Sequence, residues 1–483
     1  MSTEPIPKYP QRLLDSVSGF ELDALLIAME GYRRGLTLKY YKEASDVPKI
    51  VTHKSKLSLR KLIFSLSDGE KTHFFYRSRG DKVTEAMFNI CHDKKKTIEK
   101  FKAAGVSIAE SEAFHVRERD DIKAYAEKIG FPVVIKPTEG TMGQAVFTNI
   151  MSQEEVDEII DHYHEKVLYK RVLVEKHIEG KEYRMHTIGD TMLSATHRIP
   201  ANVTGDGVST ISELIEKKNK IRLQNPYLKN KLIKRDFEMS RRLKELNLTE
   251  DSVLPEGEQV FIKNLTNLSA GGEGIDETHL ITEEVKAMAV KALKSIDGMA
   301  QGGVDVIVNP NDPTKCVVLE INATAEMPFH MYPGQGEPVN LAAANIDFYF
   351  PKTKGAPKHN FYFDINDIDR ALKSSVVDDI TVAQPVHENT AVEVYELKVS
   401  RITASYMERV RLAAVKLNIY GYIRKVNDET AVLILGLNDE SDFNIFQKRI
   451  KRKYRKTIVK SFKKIKDLDK ETFMTRGFVI AND

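Results

Sequence analysis

The hydrophobic positions in the first part of the chain predict two helices on either side of a β-hairpin. The segment ELDALLIAMEGYRRG carries apolar residues at helical spacing, which predicts an amphipathic helix that ends at Gly35. The segment KLIFSLSDGEKTHFFYRS contains Asp68-Gly69, a dipeptide typical of the turn between two paired strands. The segment CHDKKKTIEKFKAAG returns to the helical pattern, and we expect this helix to end at Gly105.

Short helices and strands alternate in the middle of the chain and then give way to a charged segment. DDIKAYAEKIG predicts a helix, and the apolar run VVIKP soon after it predicts a short strand. Residues 210–250 are charged and rich in helix-forming residues. Strands return at EQVFIKN and at GGVDVIVNPNDPTKCVVLEINA, where residues 309–313 have the composition of a turn between two strands.

The last part of the chain has the pattern of a separate small unit. The segment PKTKGAPKHN, at about 351–360, is rich in turn-forming residues and is typical of a domain boundary. From about Val392 the predicted order is strand, helix, strand, strand, helix and a final extended stretch. This order favours a ferredoxin-like sandwich.

Composition narrows the class of protein. The 483 residues are enough for roughly two to four domains. Hydrophobic residues make up 41% and the net charge is only +3, so bulk charge gives no reason to expect nucleic acid as a partner. We expect neither a signal peptide nor a membrane span, because no sufficiently long apolar run occurs. Two cysteines without a motif partner, Cys91 and Cys316, agree with a cytoplasmic location.

An oxygen-rich group near residue 320 is the first candidate for chemistry. Glu320 and Asn322 share one face of their strand, because side chains two residues apart point the same way. If the hairpin register also brings Asp305 across from them, three oxygen-bearing side chains converge, and Mg²⁺ prefers such ligands. The same residues would suit the solvent-facing edge of a hairpin, so from these residues alone both interpretations stay open.

Upstream, a lysine and a glutamate stand where they could contact a nucleotide. Lys136 ends the strand VVIKP and is followed by the turn TEGTMGQAV, which contains Gly140 and Gly143. A fixed lysine beside backbone N–H groups can neutralise and cover a triphosphate. Glu175 stands near the end of the strand RVLVEK, where the backbone beyond it could face a purine edge. Each signal is weak alone, because an ordinary strand and turn would show the same pattern.

In this order the segments resemble the ATP-grasp superfamily, and most closely the ATP-grasp domains of cyanophycin synthetase and bifunctional glutathione synthetase. The resemblance covers roughly residues 90–350. The segments that carry it are DKKKTIEKFKAAGV, KPTEGTMGQAV, VEKHIEGKEYRM, HRIPANVTGDGVSTISELIEKKN, TNLSAGGEGIDET, VDVIV and LEINATAEMPFHMYPGQGEPVNLA. The stretch with Arg198 and Asn219 is characteristic of that subgroup, and so is NLSAGG.

The resemblance implies a role for each candidate residue. ATP would contact Lys94, Lys136, Gly140, Gly143, Glu175, the backbone near Ile178, and Glu182. Two Mg²⁺ ions, for which Mn²⁺ could substitute, would be held by Asp305, Glu320 and Asn322. Arg198, with Arg184 close by, would stabilise the acyl phosphate and its tetrahedral successor. The substrate side would be lined by Asn267, Ser269, Gly271 and His330. Because Lys95 and Lys96 flank Lys94, the choice among these three lysines stays open.

The resemblance also implies an α+β fold and a domain order. An ATP-grasp domain, with two α+β lobes that sandwich ATP, would occupy 91–352 and contain a helical insert at about 210–250. A small pre-ATP-grasp region would precede it at 1–90. A linker at 353–391 would lead to an accessory domain at 392–483.

The implied activity is that of an ADP-forming carboxylate–amine ligase. A carboxylate attacks the γ-phosphate, and an amine then attacks the acyl phosphate to form an amide or peptide bond. We expect an amino acid or short peptide as at least one substrate. A lid, at 138–146 or 210–250, would exclude water from the acyl phosphate. The alternatives are an ATP-grasp small-molecule kinase and a non-catalytic ATP-binding regulatory module.

The final segment also resembles a known family. VSRITASYMERVRLAAVKLNIYGYIRKVNDETAVLILG resembles acylphosphatase, but Met407 and Lys425 stand where that family binds phosphate and positions water, so hydrolysis of acyl phosphates is not expected. We predict an accessory domain. The stretch 448–466 contains no acidic residue and could bind an acidic or peptidic partner, or be merely a solvated helix and edge strand. By resemblance, the chain is expected to form a homodimer.

Overall fold

A computed structural model of the chain divides into two compact units. The first unit comprises Met1–Ile27, Glu43–Phe64 and His73–Lys354, and the second comprises Ala28–Lys42, Ser65–Thr72 and Gly355–Asp483. The structure describes residues 5–43, 47, 59–138, 145–166, 170–264, 266, 268–358, 362–374, 377–382, 391–417, 419–437, 440–468 and 478–481.

The predicted N-terminal helix and hairpin are both present. The elements are α1 (Gln11–Asp15), α2 (Glu21–Arg33), β1 (Thr37–Tyr41), β2 (Ile63–Ser67), β3 (Thr72–Tyr76), β4 (Arg79–Gly80) and α3 (Glu85–His92). Helix α2 ends just before Gly35, whose φ of 81° lets the chain turn into β1. Between β2 and β3, the Asp68 carboxylate accepts hydrogen bonds from the backbone N–H groups of Glu70 (3.0 Å) and Lys71 (2.7 Å), which closes the hairpin turn.

The helix predicted for CHDKKKTIEKFKAAG is in fact broken at Asp93. Helix α4 (Lys94–Ala104) starts directly after it. Asp93 has an extended backbone, and its carboxylate accepts hydrogen bonds from the N–H groups of Lys95 (3.0 Å) and Lys96 (3.2 Å). The prediction of one continuous helix is therefore wrong, because this aspartate acts as an N-cap. The predicted end at Gly105 is confirmed, since Gly105 has a φ of 64°.

A four-stranded antiparallel sheet follows in the first unit. Its region comprises β5 (Ser111–His115), α5 (Arg119–Ile129), β6 (Val133–Pro137), β7 (Phe147–Ile150), α6 (Gln153–Lys166) and β8 (Arg171–Lys176). The strand order is β5-β8-β6-β7. Val133, Ile135, Val172 and Val174 pack with apolar residues of α5 and α6. Lys136 and Glu175 alternate with these core residues and so lie on the face away from the helices.

A five-stranded antiparallel sheet forms the larger part of the first unit. The elements are β9 (Lys181–Ile188), β10 (Thr191–Ile199), β11 (Asn202–Thr204), α7 (Ile211–Gln224), α8 (Phe237–Glu245), β12 (Gln259–Phe261), β13 (Glu273–Asp276), α9 (Glu283–Ser295), β14 (Gln301–Val308), β15 (Cys316–Asn322), α10 (Pro328–Met331) and α11 (Leu341–Tyr349). The strand order is β13-β10-β9-β14-β15. The apolar side of α9 packs against one face of this sheet.

The charged segment 210–250 contains the helices α7 and α8. Helix α7 starts with a capping box, in which Thr210 and Glu213 each hydrogen-bond the other's backbone N–H. Ile211, Ile215 and Met239 share a core with the small strand pair β11 and β12. This insert therefore has its own hydrophobic core beside the five-stranded sheet.

The segment predicted as a linker contains regular structure. Helix α12 (Ile365–Lys373) buries Ile365, Ile368 and Leu372, and β16 (Asp379–Val382) follows it. Strand β16 pairs antiparallel with β1 of the same unit, with Leu38 opposite Val382. The linker prediction therefore missed one helix and one strand of the second unit. The helical spacing of the three buried residues is the signal that identifies α12.

The predicted strand–helix–strand–strand–helix–strand order of the C-terminal part is confirmed. The elements are β17 (Ala391–Val399), α13 (Ala404–Val415), β18 (Tyr420–Lys425), β19 (Thr430–Leu437), α14 (Glu440–Lys451), β20 (Val459–Leu468) and β21 (Phe478–Ala481). The sheet order is β20-β17-β19-β18-β21, with β21 parallel to β18. Met407 is buried in the core under this sheet, and Lys425 lies 2.5 Å from Asp428. Among all the residues that the structure describes, no helix is long and apolar enough to cross a membrane.

Candidate active site

The candidate site lies on one face of the sheet β13-β10-β9-β14-β15. On β9 and β14, Tyr183, Met185 and Val304 belong to the apolar core that also contains α9. Side chains alternate along a strand, so the residues between them point to the opposite face. The cross-strand register places a row of directly opposed residues on that face: Thr196, Arg184, Asp305 and Glu320.

The oxygen-rich group predicted from the sequence is brought together by the β14–β15 pair. Asp305 lies directly opposite Glu320, and Asn322 lies opposite Gly303. The Asn322 Nδ2 donates a hydrogen bond of 3.3 Å to Glu320 Oε1. Burial and the neighbouring Asp305 carboxylate raise the pKa of Glu320. Two crowded carboxylates and one amide oxygen are hard donors of the kind that suit Mg²⁺. This group has only two carboxylates, and within the described ranges no group of three or more His, Cys, Asp and Glu residues that could hold a metal ion occurs.

Two arginines surround Asp305. Arg184 donates two hydrogen bonds to the Asp305 carboxylate, one of them 2.7 Å long between Nη2 and Oδ2. Arg198 hydrogen-bonds Glu182, and its Nη2 lies 3.6 Å from Asp305 Oδ2. Burial opposes the ionisation of Asp305, but Arg184 and Arg198 outweigh it and lower the pKa of this carboxyl. Asp305 is therefore ionised, with two guanidinium groups next to it.

Gly303 makes room for the Arg184 side chain. A Cβ atom at position 303 would lie 2.9 Å from Arg184 Cδ and 2.9 Å from Ala325 Cβ. Non-bonded carbon atoms essentially never approach this closely, so any larger residue at position 303 would displace the Arg184 side chain. The glycine thus allows the guanidinium group to reach Asp305 across the strand.

Lys136 and Glu175 form a buried ion pair on the open face of the four-stranded sheet. Lys136 Nζ lies 2.7 Å from Glu175 Oε1, and each side chain is about 10% exposed. The two residues lie on adjacent strands, β6 and β8, with Val134 opposite Glu175. The pair gives this face a fixed cation and a fixed anion close together.

The position of Lys94 distinguishes it from its two neighbours. Burial lowers the pKa of Lys94; the charges of Glu320 and Glu175 oppose this shift, and that of Lys136 adds to it. Lys94 is thus within electrostatic range of residues from both sheets. Lys95 and Lys96 are exposed, and Lys96 Nζ lies 3.4 Å from the Asp93 carboxylate. The structure therefore favours Lys94 as the lysine of this helix that faces the site.

The connection between the two sheets carries two more of the predicted residues. Ile178 is half-buried between β8 and β9, and Glu182 is on β9, where it pairs with Arg198. Gly180 passes so close to β14 that a Cβ there would lie 2.3 Å from the Val308 carbonyl oxygen. This close approach holds the connection against the edge of the site.

The residues predicted for the substrate side are in different environments. Ser269 is exposed, whereas Gly271 is buried with a φ of 99°, and a Cβ there would lie 2.9 Å from Ile233 Cα. His330 is completely buried, and its Nδ1 lies 2.9 Å from Ser194 Oγ and 2.8 Å from Thr196 Oγ1. Burial lowers the pKa of His330 well below its usual value, so the imidazole is neutral. Three further predicted residues lie outside the described residues: Gly140, Gly143 and Asn267.

A further polar group lies beside β15 and was not predicted from the sequence. Tyr227 Oη donates a hydrogen bond of 3.2 Å to Glu326 Oε2, and Lys231 Nζ lies 2.9 Å from the same Tyr227 Oη. Glu326 lies in the segment LEINATAEMP, shortly after Asn322. This nearness in sequence could have indicated that Glu326 lies close to the site. Tyr227 and Lys231 lie between α7 and α8, within the insert at about 210–250. Only the fold brings them close to Glu326.

Several buried polar atoms around this face have no hydrogen-bond partner among the residues that the structure describes. They are Arg198 Nε, Thr324 Oγ1, His330 Nε2 and both ring nitrogens of His186. Buried polar atoms in native proteins are almost always hydrogen-bonded. These five atoms are donors and acceptors that a polar ligand on this face could satisfy.

A comparison with protein families decides the nature of this fold. Residues 93–197, which include α4, the four-stranded sheet and the first strands of the larger one, match the model described as the carbamoyl-phosphate synthase L chain, ATP binding domain. The chain contains an ATP-grasp domain. The α+β fold predicted from the resemblance is confirmed, since helices accompany two antiparallel sheets in this part of the chain.

Curated relatives share this ATP-grasp domain. Cyanophycin synthetase from Synechocystis sp. is 34% identical over 239 residues, which are 48% of this chain and 27% of that protein. The glutathione biosynthesis bifunctional protein GshAB from Clostridium perfringens is 28% identical over 299 residues, which are 59% of this chain and 37% of that protein. This chain therefore spans about a third of the length of these relatives.

A solved structure is similar as well. The crystal structure of a bifunctional glutathione synthetase from Pasteurella multocida aligns with 27% identity and a TM-score of 0.49. The alignment covers 60% of this chain and 41% of that one. The resemblance to the ATP-grasp domains of these two kinds of synthetase is thus confirmed at the level of sequence.

Proposed function

We propose that this chain is an ATP-dependent carboxylate–amine ligase that forms an amide or peptide bond through an acyl phosphate and releases ADP. The observation that carries the proposal is the row of Arg184, Asp305 and Glu320, with Lys94 in electrostatic range of Glu320. The two carboxylates could hold a divalent metal ion, and the arginine and lysine could neutralise the phosphate groups. Phosphoryl transfer to a carboxylate requires both. Both relatives are named for a synthesis, which agrees with a bond-forming reaction.

ATP would bind between the two lobes. Lys94 and Lys136 would contact its phosphates, and their charges already lie near Glu320. Glu175 and the backbone at Ile178 would hold the adenine, and Glu182 the ribose. The turn with Gly140 and Gly143, and the insert at about 210–250, would close over the nucleotide and exclude water. For Glu182 this role requires that Arg198 release it when the nucleotide binds, since the two side chains are hydrogen-bonded.

Divalent metal would be held by Asp305, Glu320 and Asn322. We propose two Mg²⁺ ions, for which Mn²⁺ could substitute, since all three side chains offer oxygen donors. When bound, such ions offset the charge on the phosphoryl oxygens during transfer. Arg184 lies beside the same carboxylates, and it keeps Asp305 ionised before any metal arrives.

The acyl-phosphate stage would depend on the two arginines. Arg198 has a buried Nε without a partner among the described residues, so this N–H group can donate to an oxyanion without breaking an existing bond. Arg184 would add a second positive charge. Together they would stabilise the acyl phosphate and the tetrahedral intermediate. The substrate side would be lined by Asn267, Ser269, Gly271 and His330.

Two other functions use the same nucleotide site. A small-molecule kinase would phosphorylate a hydroxyl, and a regulatory module would bind ATP without turnover. The ligase is favoured over the kinase by Arg198, whose position beside Asp305 suits an intermediate that develops negative charge after phosphoryl transfer. The regulatory module is disfavoured because a protein that only binds ATP has little need for a complete metal site, to which Asp305 and Glu320 would contribute two carboxylates.

The experiment that tests the proposal measures release of ADP and phosphate from the purified chain with Mg·ATP. The substrates are the twenty amino acids, singly and in pairs, and short peptides. The ligase predicts release with particular pairs only, with a condensed product one water lighter than the sum of the two substrates. A phosphorylated product without free phosphate would instead identify a kinase, and tight ATP binding without turnover a module.

The C-terminal unit is proposed as an acylphosphatase-like accessory domain without hydrolytic activity. Met407 is in its core, where it offers no charge to a phosphate. Residues 448–466 could bind an acidic or peptidic partner, although Lys460 and Lys464 already pair with Glu429 and Glu393. Binding of a poly-glutamate peptide, compared at low and high salt, tests this surface.

Two properties of the whole protein are also proposed. A cytoplasmic location agrees with the two free thiols, Cys91 and Cys316. Burial raises the pKa of Cys91 to about 12 and that of Cys316 to about 11. A homodimer is proposed on the resemblance alone. Light scattering on the purified chain would distinguish a mass of one chain from a mass of two.

A further inference from the structure

The loop that follows the metal-binding strand continues one open side of the site. From Glu320 to Met327, half-buried and buried residues alternate, and Asn322, Thr324 and Glu326 are the half-buried ones. The buried residues between them, such as Ala325 and Met327, face the interior. Residues 323–324 form a turn, and Glu326 follows it, one short loop beyond the proposed metal ligands.

Glu326 lies beside the ammonium group of Lys231 and is partly exposed to solvent. Lys231 Nζ lies 3.7 Å from Glu326 Oε1, with side-chain exposures of 13% and 22%. Tyr227 lies between them: its hydroxyl contacts both side chains, and Lys231 Nζ lies 4.0 Å from its ring centroid. The carboxylate and the ammonium group are thus close together, fixed by an aromatic residue, and reachable by a small molecule.

Residues that precede the ATP-grasp domain fix the backbone of this loop. The backbone N–H of Met327 donates a hydrogen bond of 2.9 Å to Asp23 Oδ1. Arg77 Nη2 donates one of 2.7 Å to Asp23 Oδ2, and its guanidinium carbon lies 3.6 Å from the Phe20 ring centroid. The buried Ser78 hydroxyl hydrogen-bonds the Ala325 carbonyl oxygen. Both sides of Glu326 are therefore anchored, which preorganises its carboxylate.

The group is close to the reaction centre. Burial and then Glu326 raise the pKa of Tyr227, whereas the positive charge of Arg184 opposes this rise. Arg184 is the residue that hydrogen-bonds Asp305. Geometry shows the same proximity: Ala325, which precedes Glu326, and Arg184 both lie against Gly303, where an added Cβ would be 2.9 Å from Ala325 Cβ and 2.9 Å from Arg184 Cδ. Glu326 therefore follows directly on a residue that lies beside the arginine at the proposed acyl phosphate.

We propose that Glu326 and Lys231 form the subsite for the amine acceptor, and that this acceptor is a free α-amino acid. The inference rests on the proposed ligase function and adds the class of one substrate. A free amino acid carries an ammonium and a carboxylate two bonds apart, so it needs one anion and one cation at short separation. Glu326 receives the ammonium group and Lys231 the carboxylate, while Tyr227 keeps the two receptors apart.

Glu326 also receives a proton from the acceptor. The ammonium gives one proton to the Glu326 carboxylate, and the neutral amine nitrogen attacks the acyl carbon. The C–N bond forms and the bond between that carbon and the phosphate oxygen breaks. The second proton from nitrogen leaves on the departing phosphate, and Glu326 returns its proton to solvent. Charge and atoms balance with one amide, one phosphate and one released proton.

The test measures binding by calorimetry, with Mg·AMPPNP present, for the twenty amino acids and their methyl esters. Wild type is compared with Glu326→Gln, Lys231→Met and the matched control Lys229→Met. Lys229 lies in the same turn and pairs with Asp15 instead. Glu326→Gln weakens binding of the acceptor amino acid at least about tenfold, because one charge-assisted contact is lost. Lys231→Met removes the preference for the free amino acid over its ester, and Lys229→Met changes neither.

A parallel assay replaces the amine with hydroxylamine, which traps acyl phosphates as hydroxamates. Wild type and the control Lys229→Met should both form hydroxamate, because the acyl phosphate is made without the amino-acid acceptor. Unchanged amino-acid binding in both variants, or no binding of any of the twenty to wild type, would overturn the subsite. Amino-acid binding that depends on Glu326, without hydroxamate from wild type, would keep the subsite and remove the ligase. A circular dichroism spectrum and the thermal midpoint show whether each variant is folded.

Discussion

Asp305 and Glu320 lie directly opposite each other on adjacent strands of the larger sheet. Both side chains are largely buried, and the charge of Asp305 contributes to the raised pKa of Glu320. Two carboxylates in such an arrangement repel each other unless a cation lies between them. Arg184 hydrogen-bonds Asp305, and the charges of Arg184, Lys136 and Lys94 oppose the rise in the pKa of Glu320 without cancelling it. Such a pair of oxygen donors suits a divalent ion.

Replacing Glu320 should remove activity without removing the fold. In Glu320→Gln we expect ADP formation to fall at least about 100-fold, because a metal donor is lost. The thermal midpoint in metal-free buffer should not fall, since the substitution also removes the repulsion with Asp305. The rise of the midpoint on adding Mg·AMPPNP should shrink. Glu283→Gln is the control, because the Glu283 side chain is 87% exposed. A Glu320→Gln variant with full activity would exclude this metal site.

The buried pair Lys136 and Glu175 should show a non-additive pattern in stability. Lys136→Met leaves the Glu175 carboxylate buried without its partner, which costs about 3 kcal/mol or more. The double variant Lys136→Met/Glu175→Gln should recover most of this loss, because no charge is left uncompensated. Urea denaturation of the three proteins measures the free energies of unfolding. Binding of Mg·AMPPNP should be weakened in both variants, and unchanged binding would remove Lys136 from the phosphate site.

Adding one methyl group at Gly303 should disturb catalysis through Arg184. In Gly303→Ala the new Cβ would lie 2.9 Å from Arg184 Cδ, so the guanidinium must move away from Asp305. We expect turnover to fall roughly 10- to 100-fold and the free energy of unfolding to fall by about 1–3 kcal/mol. Gly334→Ala serves as the control, since the nearest atom to its Cβ would be 3.4 Å away. Retention of full turnover in Gly303→Ala would show that Arg184 need not contact Asp305.

Stability should decrease in mild acid because of His186. Burial, with a contribution from Arg184, lowers the pKa of His186 to about 3. The unfolded chain takes up this proton near pH 6.5, so stability is complete above that pH and is lost as pH falls. Between pH 7 and pH 5 the loss from this residue is about 2 kcal/mol. His186→Leu should therefore lose about 2 kcal/mol less than wild type over this range, measured by urea denaturation. The exposed His279→Leu should match wild type.

Much of the local structure could be predicted from the sequence, because its signals are local. The Asp68-Gly69 hairpin and the end of α4 at Gly105 both depend on residues that tolerate or form tight turns. The turn at 309–313 predicted two adjacent strands, but the register that places Asp305 opposite Glu320 was left open and is given by the structure. The break at Asp93 was missed, because the helical pattern of neighbouring residues masked a capping aspartate.

The group around Glu326 could not be predicted in this way. Asp23 and Met327, which form one of its anchoring hydrogen bonds, are 304 positions apart. Tyr227 comes from a charged insert whose pattern indicates helices but not what they face. Contacts of this kind depend on the assembled fold, and neither periodicity nor turn chemistry reports them. The resemblance to other ATP-grasp domains indicated the nucleotide and metal residues, and did not reach this group.

The most direct test of the acyl-phosphate mechanism follows the oxygen atoms of the donor. With the substrate pair found in the ADP-release experiment, the donor carboxylate is labelled with ¹⁸O at both oxygens and the released phosphate is analysed by mass. The mechanism predicts one ¹⁸O atom in every phosphate, because a donor oxygen becomes the bridge to phosphorus and leaves with it. Phosphate without label, or phosphate retained on a hydroxyl group, would contradict a carboxylate–amine ligase.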